Sequence, residues 1–398
     1  MVVEGTEKTA FALPSVGKNA ADPVSVSAEL TEISARTDFA DLIGHAEHLV
    51  FQSGHWLSAW FAAMDCHNVM GRYWLTFRDG SGEKLMSLPL VLRRKESLRV
   101  IEIPDCGVSD YLGPIFHRRR LAGMAPAPKI VWAQLKSVLP PADLLRFEGL
   151  KAEIGGHSNP LLAHRLVQVN RQYGWKVNLP ESWDSYQAML SPRMRDKLAK
   201  ARRRFLRQPD TRMAVANTGA EALEWLEHLD RMQRDRLAQR GKDIRITGAE
   251  FTEFYRVLAA KGIETGEVVM AGLFSGDEPV ALNYAVRAGN RATYLRLANA
   301  FGAWAPMCPG LLATEHIMRH LHSEGVRIFD FGLGDYEYKM RFGGKPFPLF
   351  DLDLPLSGRG VPHAAMAYAR RTLRNVEWIR RLTGRHSLAV QPCKSSED

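Results

Sequence analysis

The chain has 398 residues, 45% of them apolar and 24% charged, with 53 Lys and Arg against 44 Asp and Glu, a formal charge of +9. This is globular composition, long enough for two domains with real cores, and no run of 18 apolar residues offers a membrane-spanning helix. Cys66, Cys106, Cys308 and Cys393 stand far apart and form no CxxC pair, which argues against a disulfide framework or a zinc site and fits a reducing cytosol.

The first twenty-odd residues are polar with no apolar h-region, so they read as a disordered segment, bounded at residues 1–30, rather than a secretory signal. Ser53 is a candidate N-cap for a helix that carries Trp56, Trp60, Phe61 and Met64 at helical spacing. Strands are predicted at 72–78, 84–92 and 98–103, with Pro89 marking an edge or a bulge in the second. A polar loop, PDCGVSDYLGP, fills 104–114; a helix at 129–138 and a strand at 143–147 follow. A further strand is expected at 174–179. A basic helical segment then runs from Trp183 to about Arg207, with Pro192 opening a fresh helix inside it. Helices at 218–240 and 248–261 lead into strands at 267–275, 279–287 and 291–298. The stretch CPGLLATEHIMRHLHSEGVRIFDFGLGDYEYKMRFGG then reads as turn, helix 311–322, Gly325 as terminator, strand 326–331 and a glycine-loosened polar segment.

Helix, three strands, loop, helix, strand thus occurs twice, without visible sequence similarity. The expected fold is α/β: two tandem units, 31–180 and 181–356, each a mixed sheet flanked by helices, followed by a basic helical tail at 357–398.

The charge is concentrated. Eight basic residues lie between Arg193 and Arg207, and a second group runs from Arg370 to Arg385. Each reads as a solvated helix face or as a surface for an anionic partner: a nucleotide phosphate, RNA or a membrane. In the tail, Arg370, Arg374, Arg381 and Arg385 share one face of a helix expected from His363 to Arg385. That face suits an acidic membrane surface or a partner protein, whereas a helix packed on the second unit would leave it merely solvated.

The Cys308-Pro309-Gly310 turn opens a helix, and a helix N-terminus offers unpaired N–H groups to a phosphate, here from Pro309, Gly310, Leu311 and Leu312. The adjacent strand ends in Asp330, so a group-transfer site is expected there. His316 and His320 have metal-pair spacing, but there is no HExxH pattern and no metal is expected. Cys308 lacks an identifiable histidine–acid partner and reads as a small apolar residue.

The PG-helix followed by DFGLGDYEYKMRFG, together with FQSGHWLSAW and the SDYLGP loop, resembles the CelD/BcsL family of GNAT-type acyltransferases, named for cellulose biosynthesis. It resembles more distantly the FemAB peptidyltransferases, whose chains hold two GNAT-like units. The resemblance covers roughly residues 34–356. It implies two GNAT-like units, acetyl-CoA or another acyl-CoA as co-substrate, and a glycan or small-molecule acceptor carrying an amine or hydroxyl. The spaced cysteines point to a cytoplasmic enzyme, and the basic tail to attachment at the inner face of the membrane or to a synthase; a nucleic-acid partner is not the leading expectation. The FemAB likeness places Lys339 near the reacting carbonyl. The reaction needs a base for the acceptor, donors for an oxyanion and an acid for the departing thiolate. Asp110, Asp330, Tyr338 and Lys339 are the catalytic candidates; Tyr111, Asp335, Tyr336 and Arg341 are candidates for holding the acceptor. Tyr336 and Tyr338, two apart, are expected not to face one way. Two other readings stay open: aminoacyl transfer from charged tRNA with the 193–207 segment on RNA, and a non-catalytic module that senses a nucleotide or docks on a synthase.

Overall fold

The structure, a computed structural model, describes residues 25–34, 36–64, 68–117, 128–238 and 248–375. The first unit is built from β1 (Val26–Glu32), α1 (Phe39–Ile43), α2 (Gly54–Ala63), β2 (Val69–Asp79), β3 (Lys84–Lys95), β4 (Leu98–Glu102), β5 (Ile115–Phe116), α3 (Pro128–Val138) and β6 (Leu144–Lys151). A small hairpin, β7 (Glu153–Ile154) and β8 (His157–Ser158), and then β9 (Gln168–Asn178) lead to α4 (Trp183–Met189) and α5 (Pro192–Leu206). The second unit repeats the order with β10 (Thr211–Val215), α6 (Gly219–Ala238), α7 (Ala249–Gly262), β11 (Val268–Ser275), β12 (Glu278–Ala288), β13 (Arg291–Asn299), α8 (Pro309–Ser323) and β14 (Ile328–Leu333). A short helix α9 (Glu337–Arg341), β15 (Lys345–Pro355) and α10 (Gly360–Asn375) complete the described chain.

Two GNAT-like α/β units are therefore present, but they share one continuous sheet, ordered β1-β2-β3-β4-β6-β15-β9-β14-β13-β12-β11-β10. The units exchange their last strands. β9, which follows the first unit, pairs with β14 of the second; β15, which follows the second, pairs with β6 of the first; and the two pair with each other. A boundary at residue 180 divides the chain but not the sheet.

Local chemistry explains several elements. The Ser53 side chain accepts from Trp56 N at 3.2 Å, and Ser191 accepts from Met194 N at 3.2 Å ahead of Pro192, so both predicted helix starts are capped. Pro89 sits in β3 opposite Trp74, between the stretch that pairs with β5 and the stretch that pairs with β4. No ladder bond is needed from it on that side.

The structure corrects some expectations. Residues 26–32 are not part of a disordered segment; they form the edge strand β1, in register from Val26↔Asp79 to Glu32↔Tyr73. The tail helix starts at Gly360 and is docked, with Ala364 buried beside Leu98, Val100 and Leu144. Arg371 faces inward from it, with its guanidinium 2.5 Å from Asp353 and 3.2 Å from Asp351. Arg370 is exposed; Val376, Ile379, Arg381 and Arg385 lie outside the described residues. The basic helix α5 buries Met194, Leu198, Ala201 and Phe205, and its Arg202 forms a 2.6 Å ion pair with the buried Glu315 of α8. Among the described residues, no helix is long and apolar enough to cross a membrane.

Candidate active site

The site lies where β14 parts from β13. Their parallel ladder runs only from Arg291↔Ile328 to Thr293↔Asp330, although β13 continues to Asn299. Along β14, Phe329 and Phe331 join Ile317, Met318 and Leu321 of α8 in one buried cluster, so by strand alternation Asp330 and Gly332 face away from α8. Past the last pair, backbone groups of β14 need partners, and side chains supply them. Asp330 Oδ1 accepts the Gly332 N–H at 3.0 Å, and Asp110 Oδ2 accepts the Leu333 N–H at 3.2 Å. Lys339 Nζ donates to Gly332 O at 3.1 Å and Leu333 O at 2.6 Å.

Asp110 comes from the first unit. Its loop is shaped by Asp105, whose carboxylate accepts the Ser109 N–H at 2.8 Å. It seats the carboxyl so close to Gly332 that a Cβ there would lie 2.1 Å from Asp110 Oδ2; Gly332 also has φ +69°. Only glycine fits both demands. Burial pushes the Asp110 carboxyl up to about 7, and the charge of Asp330 pushes the same way. Burial lowers Lys339 to about 8 against the opposing pull of Asp110 and Asp330. A carboxyl and an ammonium that both titrate near neutrality stand side by side, as an acid–base pair requires.

Tyr111, next in the loop, donates its hydroxyl to Asp330 Oδ1. Its ring meets Phe51 and Phe347 edge-on at 5.2 and 5.5 Å. Burial raises its pKa well above the usual value, so it stays a phenol. Lys151, at the end of β6, places Nζ 3.7 Å from Asp330 Oδ2 and over the rings of Tyr111 and Phe347, at 4.6 and 4.3 Å. Asp330 thus ties the two units together, and the Tyr111 hydroxyl is committed to it.

The other candidates divide. Tyr336 and Tyr338 do face together, their rings 6.2 Å apart and 30° from parallel. Tyr336 is the extended N-cap of α9, so neither strand nor helix periodicity relates the pair. Burial raises the Tyr338 pKa, which keeps its proton in place. Lys339 is 1% exposed, far from the surface lysine its neighbours suggest. Asp335 is exposed. Arg341 forms a surface pair with Glu337 at 2.6 Å, one turn earlier on α9, and takes no part in the cluster.

At the start of α8, Pro309 has no N–H, and the Leu311 and Leu312 N–H groups bond back to Cys308 O at 3.0 and 3.1 Å. The Gly310 N–H belongs to the first turn, where the helix offers no acceptor. A Cβ on Gly310 would meet Asn299 Oδ1 at 3.0 Å, so the helix end lies close against the end of β13. Arg204 of α5 donates to Pro306 O at 3.5 Å, which brings the basic helix alongside the turn leading into α8. This corner brings together a helix N-terminus, a glycine, an arginine and an adjoining break in the sheet. His316 Nε2–H donates to Ala214 O at 3.2 Å, and His322 Nε2–H to Pro180 O at 2.8 Å. Among the described residues no cluster of three His, Cys, Asp or Glu could hold a metal.

Residues 192–340 match the family model described as an acetyltransferase (GNAT) domain, Acetyltransf_6. The GNAT-matched segment runs from α5 to α9 and contains the α8 N-terminus, Asp330 and Lys339, but not Asp110, Tyr111 or Lys151. No curated protein matches the chain. Among solved structures, FemX is similar over 85% of this chain and 100% of its own, at 12% identity and a TM-score of 0.56, a likeness of fold. The C-terminal domain of a putative lysylphosphatidylglycerol synthetase from Agrobacterium fabrum is similar over 85% of this chain and 95% of its own, at 13% identity and TM-score 0.48. A tandem GNAT protein from the clavulanic acid biosynthesis pathway is similar over 83% and 99%, at 11% identity and TM-score 0.41.

Sequence reasoning missed Lys151 and the strand β15 that brings Phe347 beneath it. Lys151 ends an apolar strand, LLRFEGLK, and nothing local marks it as different from a solvated strand end.

Proposed function

We propose that the protein is an acyltransferase that moves an acetyl or other acyl group from an acyl-CoA to an amine or hydroxyl of a sugar or polysaccharide precursor. The observation that carries this reading is the Asp110 carboxyl, lent by the first unit to the broken β13–β14 edge of the second and held near pKa 7 beside Lys339. The acyl-CoA supplies an activated carbonyl and a thiolate leaving group. Asp110 takes the proton that the acceptor nitrogen or oxygen loses as it bonds to that carbonyl. Its Oδ2 is engaged by Leu333 N–H, which leaves Oδ1 for this task. As the carbon–sulfur bond breaks, the Tyr338 phenol is the group suited to return a proton to sulfur. Lys339 places a positive charge near Asp110 and fixes the β14 carbonyls. Gly310 N–H and Arg204 are the groups that would hold the pyrophosphate. A place in exopolysaccharide or cellulose biosynthesis is the context suggested by the family resemblance.

The test is thiol release from acetyl-CoA over a panel of amino and hydroxyl sugars, with wild type against Asp110→Asn. Acceptor-dependent release lost in the variant supports the reading; absence of turnover on the whole panel, with no thermal stabilisation by acyl-CoA, favours a binding module instead. The exposed Arg193, Arg195, Arg203 and Arg207 of α5 favour a second reading, aminoacyl transfer from tRNA. It predicts tRNA binding that falls steeply with salt.

We also propose that the outer face of α10 rests on an anionic bilayer at the cytoplasmic side. Met366 and Leu373 are exposed there, with Arg370 beside them. Met366→Asp with Leu373→Asp should abolish sedimentation with phosphatidylglycerol vesicles and leave turnover unchanged; unchanged sedimentation overturns the docking.

A further inference from the structure

On the side of the sheet facing away from α8, a cavity of about 380 Å³ opens between the units. Its floor is Asp330, Tyr111 and Lys151. Its walls come from the 45–51 segment of the first unit and from Arg291 and Thr293 at the start of β13. It adjoins the proposed reaction centre, because Asp330 lines it and Asp110 sits against Gly332, two residues further along the same strand.

Around Asp330 the charge is unbalanced. Its Oδ1 takes both the Tyr111 hydroxyl and the Gly332 N–H, and its Oδ2 faces Lys151. Against it stand Lys151 and Arg291, with Lys176 close behind. The Lys151 ammonium is buried at 8% exposure, and its near carboxylate oxygen is 3.7 Å away, beyond hydrogen-bond distance. Burial lowers its pKa; Asp330 opposes this, and Lys176 and Arg291 add to it. Arg291 makes no ion pair among the described residues. Glu47, whose side chain lies against Gly155, and Glu153 line the wall, so the whole cavity carries three carboxylates and the cations gather only around Asp330. A buried ammonium without a full set of acceptors is costly unless something anionic completes it.

We propose that this cavity receives the acceptor by an anionic group, a carboxylate or a phosphate monoester, seated between Lys151 and Arg291. The proposal rests on the acyltransfer reading for what happens next, but not for the binding itself. Asp330, beside the anion, and Gly332, beside Asp110, are two residues of extended strand apart, about 6.6 Å, so the acceptor needs its anion and its nucleophile on well-separated atoms. A hexosamine 6-phosphate spans such a gap between its 2-amino group and its phosphate. An α-amino acid, with both groups on one carbon, does not.

Two measurements on the full chain test this. Inorganic phosphate and acetate are titrated at low salt into wild type, Arg291→Met and Lys151→Met. At least one anion should bind wild type and weaken about 10- to 100-fold in each variant, the range for a charge-assisted hydrogen bond. Phosphate loss alone assigns a phosphate site and acetate loss alone a carboxylate site. No binding, or equal binding in all three proteins, overturns the proposal. Arg291 is exposed, so its variant keeps the test valid if Lys151→Met fails to fold. The second measurement compares glucosamine 6-phosphate with glucosamine as acceptors of acetyl-CoA. A KM for the phosphorylated sugar that rises about tenfold or more in Arg291→Met, with kcat little changed, supports the site. Equal use of both sugars, untouched by the variant, overturns it while leaving acyl transfer standing. Anion binding that follows the variants, without any acetyl transfer, sinks the acyltransfer reading and leaves the cavity assignment intact.

Discussion

Beside β6 of the first unit, the chain itself closes the gap in the sheet. Leu112 returns after β4, donates its N–H to Gly149 O at 2.9 Å and accepts from Lys151 N at 3.0 Å. Beside β14 of the second unit, side chains do that work: Asp110, Asp330 and Lys339 satisfy the backbone where β13 leaves. The two parallel ladders are otherwise alike, three pairs each, from Val100↔Leu144 to Glu102↔Arg146 and from Arg291↔Ile328 to Thr293↔Asp330. At the third position the first unit has Arg146, bound to Asp353 at 2.6 Å, and the second has Asp330, open to a cavity. One unit is sealed by backbone and ion pairs. The other is held by groups that can change protonation, and it is the one where chemistry can take place.

The strongest way to break this comparison is to remove the titrating groups. Asp110→Asn keeps an acceptor for Leu333 N–H but cannot take a proton, and Lys339→Ala removes the positive charge; each should lower turnover about 10²–10⁴-fold. The wild-type rate should climb as pH rises through about 7, where Asp110 becomes a base, and decline above about 8 as Lys339 loses its charge. Asp110→Asn should lose the acidic limb, and a limb that persists assigns it to another group. Stability carries the same signature. The folded pKa of Asp110 is raised above its ordinary 3.8, so its contribution is fully present below that value and is lost as pH rises through 7. The Tm of Asp110→Asn should therefore gain on wild type between about pH 4 and 7 and keep a constant lead above that.

The sealed unit can be loosened instead. Arg371→Ala leaves the buried Asp351 and Asp353 carboxylates short of their cation and should cost about 3 kcal/mol, read from denaturant midpoints. Turnover per folded molecule should hold, and a loss of turnover at constant fold would show that the two regions are coupled. A smaller effect is expected at Gly332. Gly332→Ala forces a side chain into a left-handed backbone and against the Asp110 carboxyl, at about 1–3 kcal/mol; an unchanged Tm would mean that the loop retreats freely. Smallest is Gly310→Val. Its side chain would press on Asn299 and should weaken CoA binding about tenfold, or 1.4 kcal/mol, in a calorimetric titration. Unchanged affinity with the fold intact moves the donor phosphates elsewhere.

The sequence by itself determined the local elements. Periodicity and caps located α2, α5, α8 and the meander β11–β13, because spacing along the chain is enough to mark an amphipathic helix or a strand between turns. The repeated order was enough to expect two units, and the strand end after α8 singled out Asp330, whereas Lys339 came only from the FemAB resemblance and its neighbours alone suggest a surface lysine. β15 escaped notice, although Phe350, Leu352 and Leu354 alternate with Asp351 and Asp353, because Pro346, Pro348 and Pro355 argue against a central strand. Only the tertiary structure decided that β9 and β15 change places, that α10 is clamped inward through Arg371, and that Tyr111 serves Asp330. Only it brought Lys151 and Arg291 to one cavity. The reason is physical: apart from the Arg371 clamp, those contacts join residues about 140 to 220 positions apart through a shared sheet, and a charge's pairing and burial depend on what crosses it in space, which no local pattern records.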